Sequence, residues 1–287
     1  MQLNKNAQYV IGVDLGGTNV RVGLVRSDRL VRVESLAVNS RGTQTEVLSQ
    51  IYDLVDPLIP RDLEGIGLGV PSVVDLKRGV VYEVTNIPSW KKVPLKSLFE
   101  RRYGVPAYVN NDANCFAVGE KYFGKGRKYD HLVGLIVGTG LGAGIIAGGK
   151  LYSGANCGAG EFGMIPYRDH NLEYYCSGQF FKNVYRTSGK ELYLKAQKKD
   201  RRALRIFSEF GSHLGEAIKV ILYAADPQIV ILGGSASASF GFFREAMWQS
   251  MKSFAYSVIL KNIKIEVSER EHIAILGAAA LYYDAKD

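Results

Sequence analysis

Two segments of the sequence, one starting at Val10 and the other at Leu132, follow the same pattern of apolar residues and glycines. Each begins with a short apolar run, reaches a glycine-rich turn at Gly16-Gly17 or at Gly138-Thr139-Gly140, and continues with a second apolar run. Apolar runs of this length separated by glycine are typical of strands joined by a tight turn. The repeat therefore predicts two similar domains, each built around one copy of the unit.

Beyond each copy the pattern changes to alternating strands and helices. A third short strand is predicted at 30–36 in the first copy and at 151–153 in the second. The other predicted elements of the first half are helices over 45–58, 94–103 and 113–123 and strands over 65–70 and 105–110. Those of the second half are helices over 202–225, 242–258 and 272–283 and strands over 228–234 and 263–267. This order predicts α/β architecture with a mixed sheet in each half.

The 287 residues provide enough chain for about two domains, each with its own core. The formal net charge of +8 is concentrated between Lys182 and Arg205, where nine basic residues face only Glu191 and Asp200. A single basic stretch of this kind predicts a solvated helix face, with a polyanion contact or an oligomer surface as alternatives.

Three scattered cysteines, Cys115, Cys157 and Cys176, do not form a disulfide framework, and the N-terminus lacks the apolar core of a signal peptide. A cytoplasmic location is therefore expected. The uncharged run Leu132–Gly149 approaches the length of a membrane span, but its many glycines disfavour a helix. A strand, a glycine turn and a second strand fit this run better, so no membrane association is expected.

The two glycine turns are candidate phosphate-binding sites. A turn built from glycine exposes consecutive backbone N–H groups, so the oxygens of a phosphate can approach them closely. Thr18 and Thr139 add hydroxyl donors, and Asp14 predicts a magnesium ion bound through water, because a carboxylate cannot face a phosphate without a cation. Glycine-rich hairpins also occur without ligands, but the duplication, with an acid in only one copy, favours phosphate binding.

Two other glycine motifs are excluded by their context. Gly138, Gly140 and Ala143 match a loose dinucleotide-binding fingerprint, and 144–150 imitates a P-loop. Both motifs must open a helix, whereas a strand and a turn follow here, and Leu151 stands where a P-loop has serine or threonine.

A polar group is expected at the carboxyl end of the strand that contains YVNNDAN. Asn111 and Asp112 lie where this strand enters a helix, and Glu161 is an acid flanked by glycines in GAGEFG. Such residues suit a polyhydroxy ligand, and Asp112 could accept the proton of a hydroxyl that attacks a γ-phosphorus. The alternative is that Asp112 is only a helix N-cap.

Several motifs together resemble the ROK family of sugar kinases, within the actin-like and hexokinase-like ATPase superfamily. The resemblance covers nearly the whole chain and rests on the order and spacing of seven motifs. They are DLGGTN at 14–19, GVPSVVD at 69–75, TNIPSW at 85–90, NNDANCFAVGE at 110–120, GTGLGAGI at 138–145, GANCGAGEFG at 154–163 and LGGS at 232–235.

The resemblance implies two similar actin-like (ribonuclease H-like) domains with mixed sheets that flank a central cleft. The N-terminal lobe would consist of 1–113 and 272–287, and the C-terminal lobe of 114–271. It implies ATP- and Mg²⁺-dependent phosphorylation of the 6-hydroxyl of glucose or a related hexose, with Asp112 as the general base, and a homodimer. The implied sugar ligands are Asn86, Asn111, Asp112 and Glu161. The implied phosphate and magnesium residues are Asp14, Gly16, Gly17, Thr18, Gly138, Thr139 and Gly140, with Gly233 and Gly234 near the adenosine.

The sequence departs from the family pattern at three places. Met164 stands where the family has a histidine that touches the sugar and helps to bind zinc, and the cysteine cluster that follows is missing. Cys176 and His170 do not complete a set of about four N or S ligands, so no structural zinc is expected. Ser72 replaces the glycine of the usual GVPG, with an effect that the sequence leaves open.

Two other functions are compatible with the resemblance. The family includes repressors with a helix-turn-helix domain before the first turn, and only a few residues precede that turn here, so nucleic-acid binding is not expected. A sugar sensor without kinase activity is suggested by Met164, because a thioether cannot donate a hydrogen bond to a hydroxyl.

Overall fold

The computed structural model describes residues 9–286, which form two compact units. The first unit consists of the described residues up to Lys128, the segment Lys150–Ala159 and the described residues from Arg270 onward. The second unit consists of Tyr129–Gly149 and Gly160–Glu269. Residues 114–128 and 150–159 belong to the first unit, whereas the sequence resemblance implies that all of 114–271 lies in the second lobe. The boundaries of the lobes stay a prediction.

The regular elements are numbered in chain order. The strands are β1 (Tyr9–Leu15), β2 (Asn19–Arg26), β3 (Arg29–Ala37), β4 (Leu63–Val70), β5 (Val74–Asp75), β6 (Val80–Tyr82), β7 (Lys92–Val93), β8 (Ala107–Asn111), β9 (Leu132–Val137), β10 (Leu141–Ala147), β11 (Lys150–Tyr152), β12 (Pro166–Tyr167), β13 (His170–Asn171), β14 (Ile229–Gly233) and β15 (Lys264–Val267). The helices are α1 (Gln44–Val55), α2 (Leu95–Tyr103), α3 (Asp112–Phe123), α4 (Leu172–Cys176), α5 (Gly178–Tyr185), α6 (Gly189–Gln197), α7 (Arg201–Ala225), α8 (Phe240–Met251), α9 (Ser257–Asn262) and α10 (Ile273–Asp284).

The first unit contains a mixed sheet with the strand order β3-β2-β1-β4-β8. Strands β1, β2 and β3 are antiparallel neighbours, whereas β4 and β8 run parallel to β1. The register places Asp14, Gly69 and Asn110 in one row across the sheet. Because parallel strands end at the same edge, the segments that follow β1, β4 and β8 lie side by side.

Helix α10 packs on this sheet with its backbone almost in contact with the strands. A Cβ atom added to Gly12 would lie 2.1 Å from the carbonyl oxygen of Ile275. Helix α3 approaches α10 in the same way, since a Cβ atom on Gly277 would lie 1.8 Å from the carbonyl oxygen of Cys115. Glycine is required at these positions because backbone atoms cannot move aside as a side chain can.

The second unit repeats the arrangement of the first, which confirms the predicted duplication. Its strands have the order β10-β9-β14-β15, with β9 and β10 antiparallel and β14 parallel to both β9 and β15. The long helix α7 packs against α8, and the core is rich in fully buried rings that include Phe180, Phe207, Phe210 and Phe243. No helix among residues 9–286 has the length and apolar character needed to cross a membrane.

The predicted helix over 242–258 is too long. Helix α8 ends at Met251, and a separate helix α9 begins at Ser257. The chain leaves α8 so that Phe254 is buried against Tyr223, with their ring centroids 4.4 Å apart. The gain from burying this ring outweighs the local helical preference.

Asp56, which follows the last residue of α1, forms an ion pair that supports a prediction about how stability depends on pH. Asp56 accepts hydrogen bonds from Arg102 at 2.6 Å and from the hydroxyl of Tyr103 at 2.8 Å. The bond from Arg102 holds the pKa of Asp56 below its ordinary value, so this carboxylate stabilises the fold above about pH 4 and the contribution is lost as the pH falls further. We expect Asp56→Asn to lower the free energy of unfolding at pH 7 by up to about 1 kcal/mol, since the pair is half-exposed.

Urea unfolding at pH 7 and below pH 4 measures this difference. Asp53→Asn, an exposed position on the same helix, is the matched control and should leave the unfolding midpoint unchanged at both pH values. A deficit for Asp56→Asn that persists undiminished in acid would contradict the account.

Candidate active site

The first glycine turn joins β1 to β2. The N–H group of Gly16 donates to the carbonyl oxygen of Asn19 at 2.9 Å, which closes the turn. The N–H groups of Gly17 and Thr18 have no backbone acceptor within residues 9–286. Consecutive unpaired N–H groups in a turn form a concave anion-binding feature. In the described chain the turn thus leaves the N–H groups of Gly17 and Thr18, rather than that of Gly16, without a backbone acceptor.

Asp14 lies near the end of β1, two residues before this turn. Its carboxylate is nearly buried and forms an ion pair with Arg21, in which Nη2 of Arg21 donates to Oδ2 of Asp14 at 2.6 Å. Burial raises the pKa of Asp14, while the charge of Arg21 opposes that shift. Mg²⁺ prefers hard oxygen ligands and is commonly held by one or two carboxylates together with water and substrate phosphates. A single carboxylate beside a phosphate turn fits this ion.

Asn86 contacts the first turn. A Cβ atom on Gly17 would lie 2.4 Å from Nδ2 of Asn86, so the amide packs directly over the glycine. Asn86 is exposed and follows β6 in the loop that leads to β7. The structure therefore brings one predicted sugar ligand next to the predicted phosphate turn.

Asn111 and Asp112 lie at the junction of β8 and α3. The N-cap of α3 is Asn111, whose side-chain oxygen accepts the N–H of Ala113 at 2.8 Å. Asn111, rather than Asp112, is therefore the N-cap of α3. Asp112 is the first residue of the helix and is half-buried, and its carboxylate also accepts the N–H of Ala113. It lies two residues after Asn110, which is in the same row as Asp14 and two strands away from it, a spacing of roughly 10 Å across the sheet.

Ser72 has a structural contact in the first unit. Its hydroxyl donates to the carbonyl oxygen of Tyr82, and its own carbonyl oxygen accepts from Nδ2 of Asn111 at 3.4 Å. Ser72 thus links β6 to the junction that carries Asp112.

Asn110 is a positioning residue that the sequence did not single out. Its Oδ1 atom accepts from the N–H of Asn111 at 2.8 Å, from Nδ2 of Asn114 at 2.9 Å and from the thiol of Cys157 at 3.4 Å. These bonds hold the segment around Cys157 against the end of β8. A buried amide directly before Asn111 in a strand was the available signal.

The second glycine turn, between β9 and β10, also closes with a bond from its first glycine, but the acceptor lies two residues ahead rather than three. The N–H of Gly138 donates to the carbonyl oxygen of Gly140 at 3.0 Å, and the N–H groups of Thr139 and Gly140 have no backbone acceptor in the described chain. The start of α5 holds this turn in place. Gly178 N–H donates to Gly138 at 2.7 Å, and the Ser177 hydroxyl donates to Thr139 at 3.1 Å.

Glu161 and Glu173 place two carboxylates in the second unit near this turn. Partial burial raises the pKa of Glu161, and the negative charge of Glu173 raises it further. Glu173 accepts from the N–H of Leu141 at 2.9 Å and from the side chain of Gln179 at 2.8 Å. The sequence reasoning missed Glu173, although it is the acid beside the aromatic pair in EYYCSG.

Gly233 and Gly234 end β14. Gly234 has φ of +82°, and a Cβ atom there would lie 2.5 Å from the carbonyl oxygen of Val137. This conformation and this contact both require glycine. The chain can therefore turn sharply from β14 into the short helical turn Ser235–Ser239.

A cavity of about 890 Å³ extends from the second glycine turn. Its walls are mostly apolar and include several polar side chains, which is typical of a site for a small organic molecule. Its lining includes Gly138, Thr139, Gln179, Phe181, Lys182, Lys190, Tyr193, Phe207, Ser235, Ala236 and Ala238.

An aromatic hairpin occupies the segment after Met164. Strands β12 and β13 pair around Arg168, and the hydroxyl of Tyr167 lies 3.0 Å from Nδ1 of His213 on α7. Met164 itself is 52% exposed. His170 stacks on Tyr174 with 3.9 Å between the ring centroids. The hairpin is thus attached to α7 by ring contacts and one hydrogen bond.

Cys176 is fully buried in the core of the second unit, and burial raises the pKa of its thiol. Across residues 9–286 no group of three or more His, Cys, Asp or Glu side chains is arranged to hold a metal ion.

The basic stretch from Lys182 to Arg205 lies on α5, α6, the start of α7 and their connections. All nine of its lysines and arginines are exposed, as a solvated face requires. Lys182 and Lys190 also line the cavity described above.

The fold is actin-like, with a mixed sheet and a glycine turn in each unit. The chain belongs to the ROK family, because the family model matches residues 10–285.

Relatives within the family differ in function. The chain is 31% identical to the glucokinase of Thermotoga maritima, over 95% of this chain and 96% of that protein. It is 30% identical to the xylose repressor of Caldicellulosiruptor bescii, over 98% of this chain and 79% of the repressor. A solved structure of the ROK family glucokinase from Streptomyces griseus, in complex with glucose and AMPPNP, superposes with a TM-score of 0.79 at 27% identity, over 95% of this chain and 98% of that one.

Proposed function

We propose that this protein is an ATP-dependent hexose kinase that phosphorylates the 6-hydroxyl of glucose or a related hexose such as mannose or an N-acetylated hexosamine. One observation carries the proposal. Asp112 directly follows β8, which lies two positions from β1 in the sheet, so a carboxylate that can act as a base lies at the same sheet edge as the first glycine turn and Asp14.

The acceptor sugar is bound by Asn86, Asn111, Asp112 and Glu161 in this proposal. Asp112 accepts the proton of the sugar hydroxyl as its oxygen forms a bond to the γ-phosphorus, and ADP leaves with the electrons of the broken bond. Because Asn111 caps α3 and Asn110 holds Asn111, the Asp112 backbone is fixed before the substrate binds. Such preorganisation favours proton transfer.

The donor phosphates bind the two glycine turns through Gly17, Thr18, Thr139 and Gly140, with Gly16 and Gly138 shaping the turns. Asp14 would hold a magnesium ion through water, and the bound ion would neutralise phosphate charge. The adenosine occupies the cavity beside Gly233 and Gly234. The AMPPNP in the Streptomyces griseus enzyme supports ATP as the donor.

A second candidate function is supported by the xylose repressor, whose alignment with this protein covers 98% of the chain. In that case the protein binds a sugar and acts as a sensor or transcriptional regulator without phosphoryl transfer. The presence of Met164 in place of the family histidine is compatible with this function. Homodimer formation, a cytoplasmic location and the absence of nucleic-acid binding stay predictions.

A coupled assay of ADP release tests the proposal. Glucose, mannose, N-acetylglucosamine, N-acetylmannosamine and xylose are each supplied with ATP and magnesium, and sugar binding is measured in parallel by calorimetry. The kinase proposal predicts turnover with at least one hexose. Tight sugar binding without turnover would contradict it and favour the sensor, and salt-sensitive retention on duplex DNA would favour the regulator.

Blocking the cavity gives a second prediction. Ala238→Trp is expected to raise KM for ATP at least about tenfold, because the indole fills space that the adenosine needs. KM for the hexose should change little. Gly241→Ala, nearby on α8 but with open space around its Cβ position, is the control and should leave both constants unchanged. An unaltered KM for ATP in Ala238→Trp would place the adenosine elsewhere.

A further inference from the structure

Arg21 forms a charged pair with Asp14 across the first hairpin. The two residues are directly opposite in the antiparallel register of β1 and β2, and one guanidinium nitrogen, Nη2, lies 2.6 Å from Oδ2 of Asp14. The side chain of Asp14 is 8% exposed, whereas that of Arg21 is 47% exposed. The pair therefore connects a buried carboxylate to a cation that reaches solvent beside the glycine turn.

The second hairpin shows that this fold does not require such a pair. Two residues before its glycine turn lies Ile136, and the residue opposite is Gly142. Both hairpins nevertheless close with a backbone bond donated by the first glycine of the turn. Hairpin formation alone therefore does not account for the Asp14 and Arg21 pair.

Most N–H donors of the Arg21 guanidinium have no acceptor among the described residues. A guanidinium carries five N–H donors in a planar fork that matches the oxygens of a phosphate. Within residues 9–286 its only hydrogen bond and its only ion pair are those to Asp14. Directly opposite residues of an antiparallel pair project to the same face of the sheet, so Arg21 lies on the same face as Asp14, two residues beyond Asn19, where the turn closes.

We propose that Arg21 is a catalytic residue that contacts the transferring phosphoryl group, and that Asp14 orients its guanidinium. This inference rests on the kinase function proposed above. As the sugar oxygen bonds to the γ-phosphorus and the bond to the ADP oxygen breaks, negative charge spreads over the phosphoryl oxygens and the leaving oxygen. A fixed cation at this position stabilises that charge.

Removal of Arg21 tests the contact. Arg21→Ala is expected to lower kcat about 100-fold or more, with KM for the hexose changed by less than about threefold, because the contact strengthens only in the transition state. Guanidinium ions at a non-denaturing concentration should restore part of the lost kcat. A role limited to balancing the charge of Asp14 would instead be met by Arg21→Lys, whose ammonium keeps the positive charge but lacks the planar fork.

The control is Arg26→Ala. Arg26 lies on the same strand and covers the ring of Tyr9 at 5.1 Å, so its removal perturbs the hairpin without touching the turn. It should leave kcat unchanged. Thermal unfolding followed by circular dichroism checks that each variant folds.

The outcomes separate this inference from the function on which it rests. A kcat for Arg21→Ala within about threefold of the unaltered enzyme would overturn the role of Arg21 alone. Absence of turnover in the unaltered protein with every hexose would overturn the kinase function and this inference with it. If Arg21→Ala does not fold, Arg21→Lys decides. A loss of kcat of about tenfold or more supports the contact because an ammonium lacks the fork, and an unchanged kcat refutes it.

Discussion

Replacing Asp112 with asparagine is expected to lower kcat for hexose phosphorylation by about a thousandfold. An amide cannot accept the proton of the attacking hydroxyl, although it keeps the size of the carboxylate and one oxygen acceptor. The affinity for the hexose should therefore stay within a few-fold of the original value. The helix should also remain intact, because its N-cap is Asn111. Initial rates in the coupled assay and calorimetric titration with the sugar measure the two quantities.

Asp62→Asn is the matched control for this substitution. Asp62 is an exposed acid in the turn before β4, and its loss removes the same charge without touching the proposed site. It should leave kcat unchanged. A rate for Asp112→Asn within tenfold of the original would show that another group accepts the proton, and a loss of sugar binding together with activity would assign Asp112 to binding alone.

Gly67→Ala is expected to lower the free energy of unfolding by about 3 kcal/mol or more. Gly67 lies on β4 below α10, and a Cβ atom there would be 1.7 Å from the carbonyl oxygen of Ala278 and 2.5 Å from its carbonyl carbon. Both atoms belong to the helix backbone. The methyl group can therefore be accommodated only if α10 moves away from the sheet.

Gly241→Ala provides the comparison for this prediction. Gly241 lies in α8, and a Cβ atom there meets nothing within 4 Å. Alanine is favoured over glycine in a helix by about 1 kcal/mol, so this variant should be as stable as the original protein or more so. Urea unfolding followed by circular dichroism gives both values. A deficit below about 1 kcal/mol for Gly67→Ala would mean that α10 is not packed closely on β4.

The duplicated hairpins could be predicted from the sequence because apolar runs and glycine turns are local signals. Burial of β1 and β9 between sheet neighbours makes nearly every residue apolar, and the turns need glycine. The longer strands and most helices outside 160–200 follow from similar local patterns, whereas the short strands β5, β6 and β7 were not predicted. The junction at Asn111 and Asp112 was visible because polar residues directly follow a buried strand.

The region over 160–200 was not predictable in the same way. Its hairpin of β12 and β13 depends on Tyr167 contacting His213 on a distant helix, which is a tertiary contact with no local signature. Helices α4, α5 and α6 are short, so their apolar periodicity is weak.

Within the proposed site, the sequence identified residue types but not their pairings. The ion pair of Asp14 with Arg21 depends on strand register, and the bond from Leu141 to Glu173 joins residues far apart in the chain. Sequence motifs also left open whether Asp112 was only a cap. The structure assigns the N-cap to Asn111, one residue earlier in the chain, whereas the role of Asp112 in proton transfer stays a prediction.

A crystal structure of the protein with AMPPNP, magnesium and a hexose that it phosphorylates tests the central claim most directly. We expect phosphate oxygens within hydrogen-bond distance of the N–H groups of Gly17, Thr18, Thr139 and Gly140, and a sugar hydroxyl donating to the Asp112 carboxylate. A nucleotide bound away from both glycine turns, or a sugar whose hydroxyls all lie beyond the reach of Asp112, would contradict the account.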